Sequence, residues 1–173
     1  MSLKPAVNEN DHATGNAKSP VVLVEYGDYQ CPHCGHAHPI LKSILKEIGA
    51  DIKFVFRNFP LQEAHPNAVP AAVSAEAAGL QDKFWEMHDT LFEHQEHLGA
   101  NHLFDYAEKT GLDIHQFSAD IQKDELLTRV QDDFESGIRS GVNGTPTFFI
   151  NGAKYNGSWE KDEFLAHLKS LIK

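Results

Sequence analysis

The chain holds two cysteines, and they stand three residues apart in Cys31-Pro32-His33-Cys34. Ahead of them runs Val21-Val22-Leu23-Val24, a continuous apolar stretch of the kind a strand buried on both faces requires. Behind them, Ile40, Leu41, Ile44, Leu45 and Ile48 recur at helical spacing until Gly49 stops the pattern. The pair therefore falls where a strand gives way to a helix. Two thiols so spaced can close a small disulfide ring at the helix tip, where unpaired N–H groups and the positive end of the dipole favour a thiolate. Pro32 suits the first helical position, because its fixed φ fits a helix and its missing N–H is needed by no partner. His33, when protonated, adds positive charge beside Cys31. The expected chemistry is thiol–disulfide exchange.

A helix is expected from Pro32 to Ile48, kinked by Pro39, and a strand over Ile52-Lys53-Phe54-Val55-Phe56. Strand, helix and strand in this order make a βαβ unit with a parallel pair. The middle of the chain, from Ala64 to Ile138, contains no strand pattern. It reads as helices: one over the alanines 71–78, one around Phe84 to Phe92, one around Leu103 to Ala107, a short one capped by Asp113, and one from Leu126 to Ile138. After Gly144-Thr145-Pro146 the strands resume as a hairpin, Thr147-Phe148-Phe149-Ile150 and Ala153-Lys154-Tyr155 around Asn151-Gly152, and a last helix covers 160–171. The expected division is a flexible polar lead-in at 1–19, a first α/β half at 20–62, a helical insertion at 63–140 and a second half at 141–173.

With 173 residues, one domain with a substantial core is expected. A formal net charge of -10 argues against nucleic acid or an anionic membrane surface as partner. No apolar run is long enough for a membrane-spanning helix. The first ten residues lack the apolar core of a secretory signal. That places the protein in the cytoplasm if the sequence is native as written, and in the periplasm or another extracytoplasmic space if an export signal has been removed. A single Cys-x-x-Cys pair is no structural disulfide framework, so it does not decide between the two.

Taken together, residues 20–173 resemble the thioredoxin superfamily, and more closely its DsbA-like branch. The order is that branch's: strand, Cys-Pro-His-Cys, helix, strand, helical insertion, Thr-Pro, hairpin and closing helix. Pro39 falls where thioredoxins carry their helix-kinking proline. The resemblance implies a thioredoxin fold of the α/β class, a mixed central sheet flanked by helices and carrying an α-helical insertion. It implies that Cys31 is the exposed nucleophile and Cys34 the buried resolving thiol. Pro146 would be a cis-proline packed against the disulfide, with its loop, including Thr145, pairing with substrate backbone. Glu25, six residues before Cys31, matches the buried acid that exchanges a proton with the second cysteine. Gln30 and Thr145 depart from the branch's commoner residues. Threonine before the proline also occurs in isomerase-type relatives, so oxidation is the favoured direction while reduction or isomerisation on the same residues stays open.

The rival from another class is a metal-binding chaperone using Cys31, His33, Cys34, His36 and His38. Histidines scattered around a helix axis do not converge on one point, so no metal is expected there, nor any cofactor beyond the Cys31–Cys34 disulfide. His36, His38, His94 and His97 are expected on helix surfaces, Phe84, Trp85, Phe92 and Phe104 in the core of the helical block, and Asp132-Asp133 on a solvated face. The expected partners are protein or peptide thiols and a redox partner that resets the cysteine pair, with the protein itself a monomer.

Overall fold

The computed structural model describes residues 1–173. Five strands form one mixed sheet in the order β1-β3-β2-β4-β5, with β1 at His12–Gly15, β2 at Val22–Gly27, β3 at Lys53–Asn58, β4 at Thr147–Ile150 and β5 at Ala153–Lys154. Central β2 pairs parallel to β3, with Val24 beside Val55, and antiparallel to β4, with Glu25 beside Phe148. Helix α1, Pro32–Ile48, makes the crossover between β2 and β3. Five helices follow β3: α2 at Ala68–Gly79, α3 at Phe84–Glu93, α4 at Ala100–Lys109, α5 at Ile114–Asp120 and α6 at Asp124–Arg139. The hairpin β4–β5 and α7, Lys161–Leu171, complete the chain. Helix α1 spans the bounds that the sequence suggested and runs through Pro39, whose ring is exposed.

Side-chain alternation along β2 decides what lies over what. Leu23 joins the apolar cluster made by α1 and α7, with Leu41, Ile44, Phe164 and Leu168. Val24 and Tyr26 point the other way, into a cluster with Val55, Phe59 and Phe149 on which Phe134 of α6 packs. Glu25 shares the Leu23 face and so lies beneath α1, at the end where α1 begins. The third and largest cluster fills the helical block and reaches the cysteines, joining Cys31, Cys34 and Tyr29 to Met87, Leu91 and Phe92.

The first nineteen residues are not a loose lead-in. β1 pairs antiparallel to β3, Leu3 N–H donates to Gly152 O at 2.8 Å, and Leu3 is buried. The physical reason is Arg57, 2% exposed on β3. Its guanidinium donates to both Asp11 oxygens at 2.7 and 2.9 Å and to Pro5 O at 3.0 Å, so a polar segment is held by a buried charge that needs its acceptors. Asp133 also departs from the solvated face expected for it. It turns inward and accepts from the Asn58 backbone and side-chain N–H groups at 2.9 and 3.0 Å.

Candidate active site

Cys31 is the N-cap of α1, in extended backbone conformation, and Pro32 takes the position after it. Cys34 lies one turn in and is fully buried. Cys31 itself is only 4% exposed, less open than the exposed nucleophile implied by the resemblance. The loop ahead of β4 accounts for much of the cover: the Cys31 thiol donates to Thr145 O at 3.5 Å. The Thr145–Pro146 peptide in that loop is cis. The Thr145 hydroxyl is buried without a hydrogen-bond partner, so it is free to donate to Cys31 once that thiol has lost its proton. Pro32 and His33 are exposed.

The two thiols are driven apart in acidity. Cys31 is lowered from 9.0 to about 5, chiefly by the hydrogen bond from the Cys34 thiol. Burial opposes that shift, while Thr145 and the amides of Cys34 and His33 add to it. Cys34 is pushed well above the ordinary thiol range by its burial, by the same hydrogen bond and by the charges of Glu25 and Cys31. Glu25 is raised from 4.5 to about 8, first by burial and then by the Cys31 charge. Its Oε1 has no hydrogen-bond partner. The site thus holds one thiolate, one thiol and one protonated carboxyl near neutral pH.

Three residues hold this arrangement, two that sequence reasoning passed over and Gln30, which it noted only as a departure from the branch's commoner residue. Asp28 is buried, and its carboxylate accepts from Gln30 N at 2.8 Å, Leu61 N at 2.9 Å and His65 Nδ1 at 2.7 Å. Gln95, after α3, donates through Nε2 to Tyr29 O and Cys31 O, both at 2.8 Å. Gln30 accepts from Asn67 N at 2.8 Å, tying the residue before Cys31 to the start of α2. No local pattern marks Gln95 or His65, because their partners lie tens of residues away in the chain.

The Cys/His cluster weighed as a metal site is not assembled. His33 and His36 face solvent, while His38 is buried, contrary to its expected surface place, and stacks on Phe92 with ring centroids 5.0 Å apart. His94 and His97 are exposed, and Phe84 and Phe92 are in the core.

A thioredoxin family model matches residues 7–170. The chain belongs to the thioredoxin family. It is 41% identical over 170 residues to a Na(+)/H(+) antiporter NhaA 1 of Mycolicibacterium vanbaalenii, a match that covers 97% of this chain and 28% of that protein. The chain therefore spans about a quarter of the length of the curated relatives it matches. Among solved structures, BdbD from Bacillus subtilis in oxidised form is 25% identical with a TM-score of 0.82, over 94% of this chain and 92% of that one. The thiol-disulfide exchange protein alpha-DsbA2 from Wolbachia pipientis superimposes with a TM-score of 0.85 at 23% identity, over 95% and 88% of the two chains, and shows the shared fold. The fold is thus DsbA-like, a thioredoxin sheet with its helical insertion between β3 and β4. No helix is long and apolar enough to cross a membrane.

Proposed function

We propose that the protein is a dithiol–disulfide oxidoreductase acting on protein or peptide thiols, in the oxidising direction, through Cys31 and Cys34. The observation that carries this reading is the asymmetry of the pair: an acidic sulfur at the start of α1 and a buried, weakly acidic one behind it. A stabilised Cys31 thiolate favours the reduced pair, and a pair whose reduced form is favoured oxidises others. In the proposed cycle, a substrate thiolate attacks Cys31 Sγ of the disulfide. The Cys31–Cys34 bond breaks, and the bond electrons leave on Cys34. Cys34 then takes up a proton, for which the protonated Glu25 carboxyl is the proposed nearby donor. A second substrate thiolate attacks the substrate sulfur of the mixed disulfide and expels Cys31 as thiolate. The substrate gains a disulfide, and the protein leaves with two more electrons. Resetting the pair requires a separate oxidising partner. Thr145 and Pro146, beside Cys31, are the proposed contacts for substrate backbone, and His33 is proposed to add positive charge to the thiolate when protonated.

The test is the reduction potential of Cys31–Cys34, equilibrated against glutathione redox buffers. The expected value lies well above the roughly -270 mV of thioredoxin, toward the roughly -120 mV of strongly oxidising relatives. A value near thioredoxin's overturns the oxidising direction and makes the protein a reductant. Full activity in Cys31→Ser overturns the whole reading.

A further inference from the structure

Below the cysteine site, α1 and α3 bring together His38, His88 and Asp89, none of which the exchange chemistry uses. We propose that these three side chains form a binding site for a divalent transition-metal cation of the zinc class. One ring nitrogen from each histidine and one Asp89 oxygen all lie within 4.8 Å of one another. A point central to such a triangle is under about 3 Å from every corner. Each donor therefore closes by less than about 1 Å to reach the ~2.0–2.1 Å bonds that zinc makes to nitrogen and carboxylate oxygen.

A second observation points to a ligand independently of that proximity. His38 is 6% exposed, and its Nε2 has no hydrogen-bond partner although it faces Asp89 Oδ1 at 3.7 Å. A buried ring nitrogen without a partner is costly, and a cation placed between it and the carboxylate removes that cost.

The surroundings fit a cation. The Tyr29 hydroxyl lies 3.0 Å from His88 Nδ1 and fixes that ring, as outer partners of metal-bound histidines do. Lys42 is the competing charge, but it pairs with the other Asp89 oxygen, Oδ2, at 2.6 Å and reaches Glu93 at 3.7 Å. Oδ1 is thereby left to the histidine side. Asp89 is 35% exposed while both histidines are buried, so a cation has one open side for entry and for a water as fourth ligand.

The experiment is calorimetric titration of zinc chloride into chelator-treated, oxidised protein, whose disulfide removes the cysteines as ligands. One zinc per chain is expected, and likewise in the Cys31→Ser/Cys34→Ser protein. His38→Gln is expected to lower affinity at least tenfold, and so is Asp89→Asn, a surface change that tests the site even where a buried histidine variant fails to fold. Absence of binding by the oxidised protein overturns the proposal. So does binding undiminished in Asp89→Asn, or binding confined to the reduced protein and lost in Cys31→Ser, which places the metal on the thiols.

Discussion

The backbone N–H of Asp28 points at Cys34 Sγ from 3.5 Å, while the carboxylate of the same residue gathers three donors, one from its own turn and two from the segment between β3 and α2. One buried side chain thus fixes the turn between β2 and α1, and that turn presents its own amide to the resolving sulfur. Cys34 is held in place by a residue six positions earlier through the backbone, and the carboxylate explains why that backbone does not move.

Asp28→Ala removes the acceptor for Gln30 N, Leu61 N and His65 together. Buried donors left without partners cost about 1–3 kcal/mol each, and neighbouring losses do not add fully. The expected loss is about 3 kcal/mol, read from the midpoint of urea unfolding. The backbone N–H that faces Cys34 Sγ is kept, but the turn that holds it is loosened, so the attack of Cys34 on a preformed mixed disulfide at Cys31 is expected to change more than the formation of that disulfide.

Gln95→Leu keeps the approximate volume but leaves Tyr29 O and Cys31 O without their shared donor. A destabilisation of about 2 kcal/mol is expected, with a several-fold slower reaction of Cys31 with a disulfide probe at pH 7. Gly35→Ala disturbs the same contact from the other side, because a Cβ there collides with the Gln95 carboxamide. The contact is with the far end of a flexible side chain, so Gly35→Ala is expected to slow the probe reaction less than Gln95→Leu. A Gln95→Leu protein as fast as the wild type contradicts the role given to Gln95.

Acidity supplies a pH signature. Cys31, lowered to about 5, stabilises the folded reduced protein fully above its ordinary 9.0, and that stability is lost as pH falls through about 5. Glu25, raised to about 8, acts with the opposite sign: its contribution is complete below 4.5 and is lost as pH rises through about 8. In the reduced protein the two slopes oppose one another between about pH 5 and 8. The oxidised protein has no Cys31 thiol and keeps only the Glu25 slope, since burial, the larger cause of that shift, remains. Other shifted groups, His38, His88 and Asp133, act in the same window in both redox forms, so the Glu25 slope is read as the difference between the wild type and Glu25→Gln. In the oxidised protein the melting temperature of the wild type relative to Glu25→Gln is expected to fall from pH 5 to 8, and the stability of the reduced wild type relative to the oxidised is expected to rise. A difference from Glu25→Gln that does not change between pH 5 and 8 contradicts the raised carboxyl.

How much of this was legible beforehand follows from where the information sits. α1 was legible to the residue because proline and glycine punctuate it, and the hairpin because Asn151-Gly152 marks its tip. Glu25 stood out only through the family resemblance, which implies a buried acid six residues before the first cysteine. β1 was not legible, since His12-Ala13-Thr14-Gly15 is too short and too polar to carry a strand pattern, and its partner edge is forty residues away. His38 was misjudged by residue type, although its position was informative. It stands four residues after Cys34 and three before Leu41, both buried, and so on the inward face of α1. Asp28 and Gln95 hold the site through contacts between distant segments, which composition and periodicity do not encode.

The N-terminal segment gives the last prediction. Arg57 is almost wholly buried, and the Asp11 carboxylate is its ionic partner, with Tyr26 Oη at 3.0 Å and the Pro5 and Ala6 carbonyls as further acceptors. Removing one partner of a buried pair leaves an uncompensated charge, a loss of about 3–5 kcal/mol. Asp11→Ala is expected to cost that much, and so is deletion of residues 1–11, which also takes away Leu3 and the Pro5 carbonyl. Arg57→Met removes the charge in place of its partner and fills similar volume, so Asp11→Ala in that background is expected to cost less than about 1 kcal/mol more. Urea unfolding of the two single variants and the double variant measures the coupling directly. A coupling near zero contradicts a docked lead-in, because Asp11 would then be no partner of Arg57. A large coupling with unchanged Cys31 reactivity separates the two roles of this chain's polar residues: Asp11 holds the sheet edge, and Asp28 holds the thiols.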